Sequence, residues 1–363
     1  MLVVLESRPP VFFPVSSSVL ILLNLIRTKE MLYLTFASIA VGCLGYKIPV
    51  VRLGNAAAPN MTMPMTGLGT GGYGHSSTPS PSSYPECWSD DAGCGPWVRN
   101  ATATYLKLSA SISPSTQIRI DNANTYNDVD NVGIGMVDSR VPRSDIFLLS
   151  KTGSGQAMGF EDTLDQFDAL LAAGGYSYVD ALLIHWPTSS APSKEPSCVT
   201  GAPTYDAKAC RLATWRAYVT IFKSGRALAI GVSNYNSTHL QEIMDAGLPL
   251  PSINQIPYNL YRSSSWTDTV AWCLRNGVTV NSYSPFGVPD AHQYPTSSGM
   301  SATLLQDPVL ADIAQAHGRL PAEILSAWFA ALGIPFNPRT YQETVGAHAS
   351  ARPSPPPARC THK

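Results

Sequence analysis

The chain has 363 residues, 44% of them hydrophobic and only 13% charged, with a formal net charge of −1. No basic stripe and no block of like charge stands out, which argues against nucleic acid or an acidic surface as the main partner. The length suits one large α/β barrel or two medium domains, and the apolar content is enough for a sizeable core.

The first elements read as targeting rather than fold. "SVLILLNLI" and "MLYLTFASIAVGCLG" are apolar runs parted by Arg27, Lys29 and Glu30. Each falls short of the roughly 20 residues that a membrane span needs. The second ends in small residues, Gly42, Cys43 and Gly45, as a cleaved secretory signal does. Residues 1–48 are expected to be a signal peptide or anchor, or else a non-native extension with Met31 as the true start. A genuine signal directs the chain to the secretory pathway, into the endoplasmic reticulum lumen; without one it is cytoplasmic. Asn60, Asn100 and Asn236 open glycosylation sequons, each a weak signal because such triplets arise often by chance. Of seven cysteines, Cys87 with Cys94 and Cys198 with Cys210 fall pairwise in loop-like segments. Pairing within each loop fits an oxidising compartment, and ordinary thiols are the alternative. Cys273, in "AWCLRNG", reads as a buried helix cysteine, and nothing has the spacing of a metal site.

From about residue 62 short apolar runs alternate with longer amphipathic ones. The strand-like runs are "MPMTGLGT", "QIRIDNA", "DIFLLSK", "VDALLIHWP", "ALAIGVSN", "PSINQIPY", "GVTVNSYSP" and "LGIPFNP". Between them "EDTLDQFDALLAAGG", "LATWRAYVTIFKSG", "STHLQEIMDAG", "DPVLADIAQAHG" and "PAEILSAWFAALG" carry apolar residues at helical spacing and stop at glycine. Strands alternating with helices imply a parallel sheet, and eight of them in one chain imply a closed (β/α)8 barrel, a TIM barrel in the α/β class. The barrel is expected to span residues 49–348, with residues 349–363 a disordered, Pro-rich tail.

Each run ends in a polar or titratable group: Thr70, Asp121, Lys151, His185, Ser233 with Asn234, Gln255, Tyr283 with Ser284, and Asn337. In a barrel those ends meet on one face, where active sites are built. Polar residues also simply mark where strands become loops, and that accounts for Thr70 and Asn337. It does not account for Asp121, Lys151 and His185, because unpaired ionisable groups at a barrel mouth carry a desolvation cost. "GLGTGG" matches a dinucleotide-binding spacing, but "YGHSSTPSPSSYP" follows it and cannot be the helix that motif requires.

A tyrosine is a feeble acid at neutral pH. An ammonium beside Tyr126 lowers its pKa, a carboxylate at Asp121 holds Lys151 in place, and His185 orients a carbonyl across the substrate. That is a proton-donating arrangement for carbonyl reduction. It needs a hydride source that no side chain supplies, so a nicotinamide cofactor is implied. Tyr283 offers a ring for stacking, and Ser233, Asn234 and Gln255 offer hydrogen bonds to a carboxamide.

"MPMTGLGT", "RIDNANTYND", "LLSK", "YVDALLIHWP", "AIGVSNYN", "INQIPY" and "NSYSPFG" resemble the signature segments of the aldo-keto reductase superfamily, in that family's order. The resemblance runs from about Val51 to Pro338, and "LLIHWP" and "IGVSNYN" are its most specific parts. It implies an NADPH-dependent reductase of small aldehydes or ketones, with NADH not excluded. It implies Tyr126 as general acid, Lys151 as the partner that lowers its pKa, Asp121 as counter-ion and His185 as the orienting imidazole. Ser233, Asn234 and Gln255 then match the carboxamide ligands, Tyr283 the stacking ring, and Thr70 and Ser284 further cofactor contacts.

The chain departs from that pattern in two places. An enlarged loop, "SSTPSPSSYPECWSDDAGCGPW", follows Thr70 at the active-site face. After the last strand Arg339 and Thr340 fill the places of a basic residue and a hydroxyl, but the later Arg expected to grip a 2′-phosphate is missing from "YQETVGAHAS", where His348 is the sole basic side chain. The stretch after "NPRT" is also short for a final helix, so an incomplete C-terminal helix is expected. Two rivals to the enzyme remain: a nicotinamide-nucleotide-binding barrel that senses redox state or regulates a partner, and an inactive product of a truncated gene.

Overall fold

The computed structural model describes residues 47–55, 60–71, 95–114, 116–153, 155–287 and 304–338. Residues 1–46 of the expected leader, the Cys87–Cys94 pair, most of the loop after Thr70, Arg339, Thr340 and the tail lie outside the described residues.

Eight parallel strands form a barrel with helices outside it. In chain order they are β3 (Gly67–Gly69), β4 (Ile118–Asp121), β5 (Ile146–Thr152), β6 (Val179–Ile184), β7 (Ala227–Ser233), β8 (Ile253–Ile256), β9 (Thr279–Tyr283) and β10 (Phe336–Asn337), each hydrogen-bonded to the next. The circle closes between β10 and β3. Thr66 bridges Phe336, Phe336 N donates to Met65 O at 2.8 Å, and Gly69 N donates to Pro338 O at 3.0 Å.

The "MPMTGLGT" run is not one strand. Its first half, β2 (Thr62–Pro64), pairs antiparallel with β1 (Val50–Arg52), and only Gly67–Gly69 joins the barrel. The hairpin covers the end of the barrel where the strands begin. Leu53 and Met63 pack on the inward residues Phe147, Leu149, Ala181, Leu183, Ala229 and Ile253. Gly54 meets the backbone of Gly277, just before β9, so closely that a Cβ would lie 2.2 Å from its carbonyl oxygen. The opposite mouth is left to the strand ends.

The two-residue period of a strand sorts each β-run into inner and outer faces. On β5, Phe147, Leu149 and Lys151 face the axis, while Ile146 and Leu148 join the outer layer under the helices. That outer layer is the larger core and includes Phe167, Trp215, Tyr218 and Phe329. The covering helices are α1 (Gly95–Ile112), α2 (Val129–Ser139), α3 (Phe160–Gly174), α4 (Ala207–Lys223), α5 (Ser237–Asp245), α6 (Thr267–Arg275), α7 (Pro308–Ala316) and α8 (Pro321–Leu332). α7 and α8 both lie between β9 and β10, so no helix follows β10 among the described residues.

Local chemistry sets the helix ends. α3 stops at Gly175, whose φ of 64° suits glycine and lets its N–H reach the carbonyls of Ala172 and Leu171. α5 is capped by Asn236, not by the Ser or Thr after it: the Asn236 side chain accepts from His239 N at 2.9 Å. Asn100 is exposed on α1, but Thr102 of the same sequon is fully buried. Among the described residues no helix is long and apolar enough to cross a membrane, and no group of three or more His, Cys, Asp or Glu stands where a metal could be held.

Candidate active site

The mouth of the barrel is organised around Asp121, at the end of β4 and 3% exposed. Its carboxylate takes three donors from three strands. Lys151 Nζ on β5 pairs with Oδ1, Gln255 Nε2 on β8 donates to Oδ2 at 2.6 Å, and Asn337 Nδ2 on β10 donates to Oδ2 at 2.7 Å. Burying a carboxylate this deeply is tolerable only with such pairing. Lys151 is itself fully buried and also donates to Asn122 O at 3.0 Å. Burial works to strip its proton, but the Asp121 charge, the nearby Tyr126 phenol and the hydrogen bond the amine donates to Asp121 outweigh it and raise the amine above its ordinary value.

Tyr126 ends a short 3₁₀ turn, Asn124–Tyr126, that leaves β4. The Lys151 ammonium lies 5.2 Å from its ring centroid. The sequence reading expects this amine to bring the phenol below its ordinary value. The balance goes the other way: burial is the largest influence and raises the pKa, while Lys151 pulls it down in part. Tyr126 is therefore held protonated at neutral pH. The room it occupies depends on Gly71, where a Cβ would stand 2.8 Å from Cζ of Tyr126 and 3.1 Å from its hydroxyl.

His185, just beyond β6, meets the Tyr126 ring edge-on, with centroids 5.5 Å apart and planes at 81°. Its Nδ1 lies 3.2 Å from Thr125 Oγ1. Burial first, and the Lys151 charge second, push its pKa well below 6.5, so the imidazole is neutral. The structure thus brings Asp121, Tyr126, Lys151 and His185 into one cluster.

The other predicted positions line the next strands round. Ser233 Oγ donates to Gln255 O at 2.9 Å. Asn234 Nδ2 donates to His185 O at 3.0 Å and to Ser233 Oγ at 3.1 Å, and Tyr283 Oη donates to Asn234 Oδ1 at 2.9 Å. Asn234 and Ser284 both take left-handed backbone, φ 63° and 49°, to turn sharply out of β7 and β9. Ser284 O accepts from Asn259 Nδ2 at 3.1 Å. Thr70 is buried at the end of β3, where its N–H donates to Asp121 O at 2.9 Å and its hydroxyl sits beside Asp128. A hydroxyl, two primary amides and a phenol thus meet in one hydrogen-bonded series on adjacent strand ends.

Sequence reasoning missed several residues. Asn337 reads as a strand boundary, yet it holds Asp121. Alternation from Phe336, which packs outward on Phe329, would have placed Asn337 inside. Arg119 lies two residues before Asp121 on the same inner face. Fully buried, it donates from Nη1 to Asn281 Oδ1 at 3.0 Å and from Nη2 to Met65 O at 3.3 Å and Phe336 O at 2.8 Å. Burial lowers its pKa to about 10, which leaves it charged at neutral pH. Asp128 is 3% exposed and pushed up to about 7 by burial. Thr125 and Gly71, which touch the cluster directly, had no sequence signal beyond adjacency.

The family model of the aldo/keto reductase family matches residues 108–343. An uncharacterised oxidoreductase of Bacillus subtilis (strain 168), YtbE, is 31% identical over 228 residues, which cover 62% of this chain and 69% of that protein. A morphine 6-dehydrogenase of Pseudomonas putida is 31% identical over 236 residues, 65% of this chain and 73% of that one. The crystal structure of an aldo-keto reductase of Bombyx mori in complex with NADP superposes with a TM-score of 0.63 at 23% identity, covering 84% of this chain and 87% of that one. A barrel whose strand ends gather these groups in this order, matched over most of its length, belongs to the aldo/keto reductase family of oxidoreductases.

Proposed function

We propose that the protein reduces an aldehyde or ketone to the alcohol with NADPH, Tyr126 acting as general acid. One observation carries this: a buried carboxylate–ammonium pair, Asp121–Lys151, with the half-buried Tyr126 phenol next to it, sits beside a neutral imidazole at the barrel mouth. The nicotinamide, when bound, supplies the hydride. The chain's own residues handle the proton. Tyr126 keeps its proton until negative charge develops on the carbonyl oxygen and then gives it up. Lys151, held by Asp121, stabilises the phenolate so formed. His185 hydrogen-bonds the same oxygen and fixes the face presented for reduction.

Ser233, Asn234 and Gln255 would hold the carboxamide, with the Tyr283 ring beneath the nicotinamide. Thr70, Ser284, Arg339 and Thr340 are proposed as contacts further along the cofactor. The NADP complex of the Bombyx mori relative supports NADPH here. The Tyr126→Phe variant is expected to lose about 10²–10⁴-fold in kcat with a generic aldehyde while still quenching NADPH fluorescence on binding. Turnover surviving in Tyr126→Phe would overturn the assignment. NADPH binding by wild type with no turnover across a broad carbonyl panel would favour the regulatory barrel.

The Cys198–Cys210 disulfide supports a secretory location. A mature N-terminus beyond residue 31, read by mass spectrometry of the protein from its native cells, is the expected result; an intact leader with both thiols free would argue for the cytoplasm.

A further inference from the structure

The turn that carries Tyr126 carries a second group aimed at the same chemistry. Thr125 Oγ1 lies 3.2 Å from Nδ1 of His185, across a sequence distance of 60 residues. Thr125 and His185 are both half-buried, so the contact is partly shielded from water. Nδ1 is thereby committed to Thr125, and Nε2 is the nitrogen left for a ligand. The backbone behind the ring is fixed as well, since His185 O accepts from Asn234 Nδ2 at 3.0 Å.

A neutral imidazole has one donor and one acceptor nitrogen, and the partner of one decides the role of the other. His185 cannot solve this by becoming doubly protonated, because burial and the Lys151 charge oppose the imidazolium. If Nδ1–H donated to Thr125, Nε2 would turn a lone pair toward a carbonyl oxygen and repel it. If Thr125 O–H donates to Nδ1, Nε2 carries the proton and offers it to that oxygen. We infer that Thr125 is a positioning residue whose hydroxyl donates to Nδ1 of His185 and fixes the imidazole as its Nε2–H tautomer, so that one 3₁₀ turn governs both hydrogen-bond donors to the substrate oxygen.

This rests on the reading of His185 as the carbonyl-orienting group, but its test does not depend on turnover. The ¹⁵N-histidine NMR spectrum of the full chain, with the His185 signals assigned by His185→Gln, reports the tautomer in the resting protein. Wild type is expected to show Nε2–H between pH 6 and 8. Thr125→Val, which keeps the side-chain shape and removes the hydroxyl, is expected to lose that preference and about 10–100-fold in kcat/KM. Thr125→Ser is expected to restore both. An Nδ1–H tautomer in wild type overturns the inference even if Thr125→Val fails to fold. So does an unchanged tautomer in a folded Thr125→Val. Should Tyr126→Phe retain activity while the Nε2–H assignment holds, the general-acid assignment fails and the role of Thr125 in setting the ring survives.

Discussion

Asp121 has the most to lose from a single substitution, because three strands direct donors at one carboxylate. Removing Asn337 leaves Oδ2 with Gln255 and loosens the anchor of Lys151. Asn337→Ala is expected to lower kcat about tenfold with little change in KM for NADPH, as steady-state kinetics would show; an unchanged kcat would mean that Asn337 only ends a strand. Gly71→Ala tests the space around Tyr126. A methyl 2.8 Å from Cζ must displace the ring and its hydroxyl with it, so kcat is expected to drop about 100-fold while the thermal midpoint moves by only a few degrees. A crystal structure of the variant would show whether the ring has shifted. At this scale Asp121, Tyr126, Lys151 and His185 were legible because ionisable groups at strand ends are conspicuous. Arg119 and Asn337 were not, because each sits in an apolar run whose inner and outer faces become clear only once the strand is placed. The net direction of the Tyr126 pKa was also hidden, since the degree of burial is a property of the fold and not of the five residues around it.

The segment between β6 and α4 shows how an element is held. Cys198, in the short turn Pro196–Cys198, is bonded to Cys210 in the first turn of α4. Ser193 Oγ and Lys194 N both reach Asp162 Oδ2 at 2.8 Å, tying the same loop to the start of α3. Because a cross-link over so short a loop restricts the unfolded chain, the double variant Cys198→Ala, Cys210→Ala is expected to lose about 3 kcal/mol in urea unfolding. A loss below about 1 kcal/mol would show that the Asp162 contacts already fix the loop. Two cysteines in one polar segment left pairing and ordinary thiols equally open, and the structure bonds them. The start of α4 was not: the helix begins at Ala207, well before the apolar pattern from Leu212, because Asp206 accepts from Lys208 N at 2.9 Å and Ala209 N at 3.0 Å. A cap of this kind adds a turn that periodicity does not register.

For the molecule as a whole, the alternation of strands and helices was enough to predict eight parallel strands, yet it merged the bottom hairpin with the first barrel strand. Both halves of "MPMTGLGT" are apolar, and only the pairing partner separates them. Stability should depend on pH through Asp128, which faces the Thr70 hydroxyl, Lys151, Tyr126, Tyr176 and Asp130. Its folded pKa of about 7 stands above the ordinary 3.8, so the native state binds the extra proton between those values and stability falls as pH rises through them. The decline from this group is on the order of 4 kcal/mol between pH 4 and 7, and Asp128→Asn is expected to lack it in urea melts across that range. Parallel pH profiles for the two proteins would refute it. Arg119 bears on how such a chain is made. Two of its acceptors are carbonyls of Met65 and Phe336, the latter 217 residues further on. At ribosomal speeds the guanidinium emerges roughly 10–40 s before that last acceptor exists. Until then the nascent sheet must keep hydrated a cation that the finished barrel seals from water, and chains stalled ahead of Phe336 should be readily cut by protease while finished ones resist.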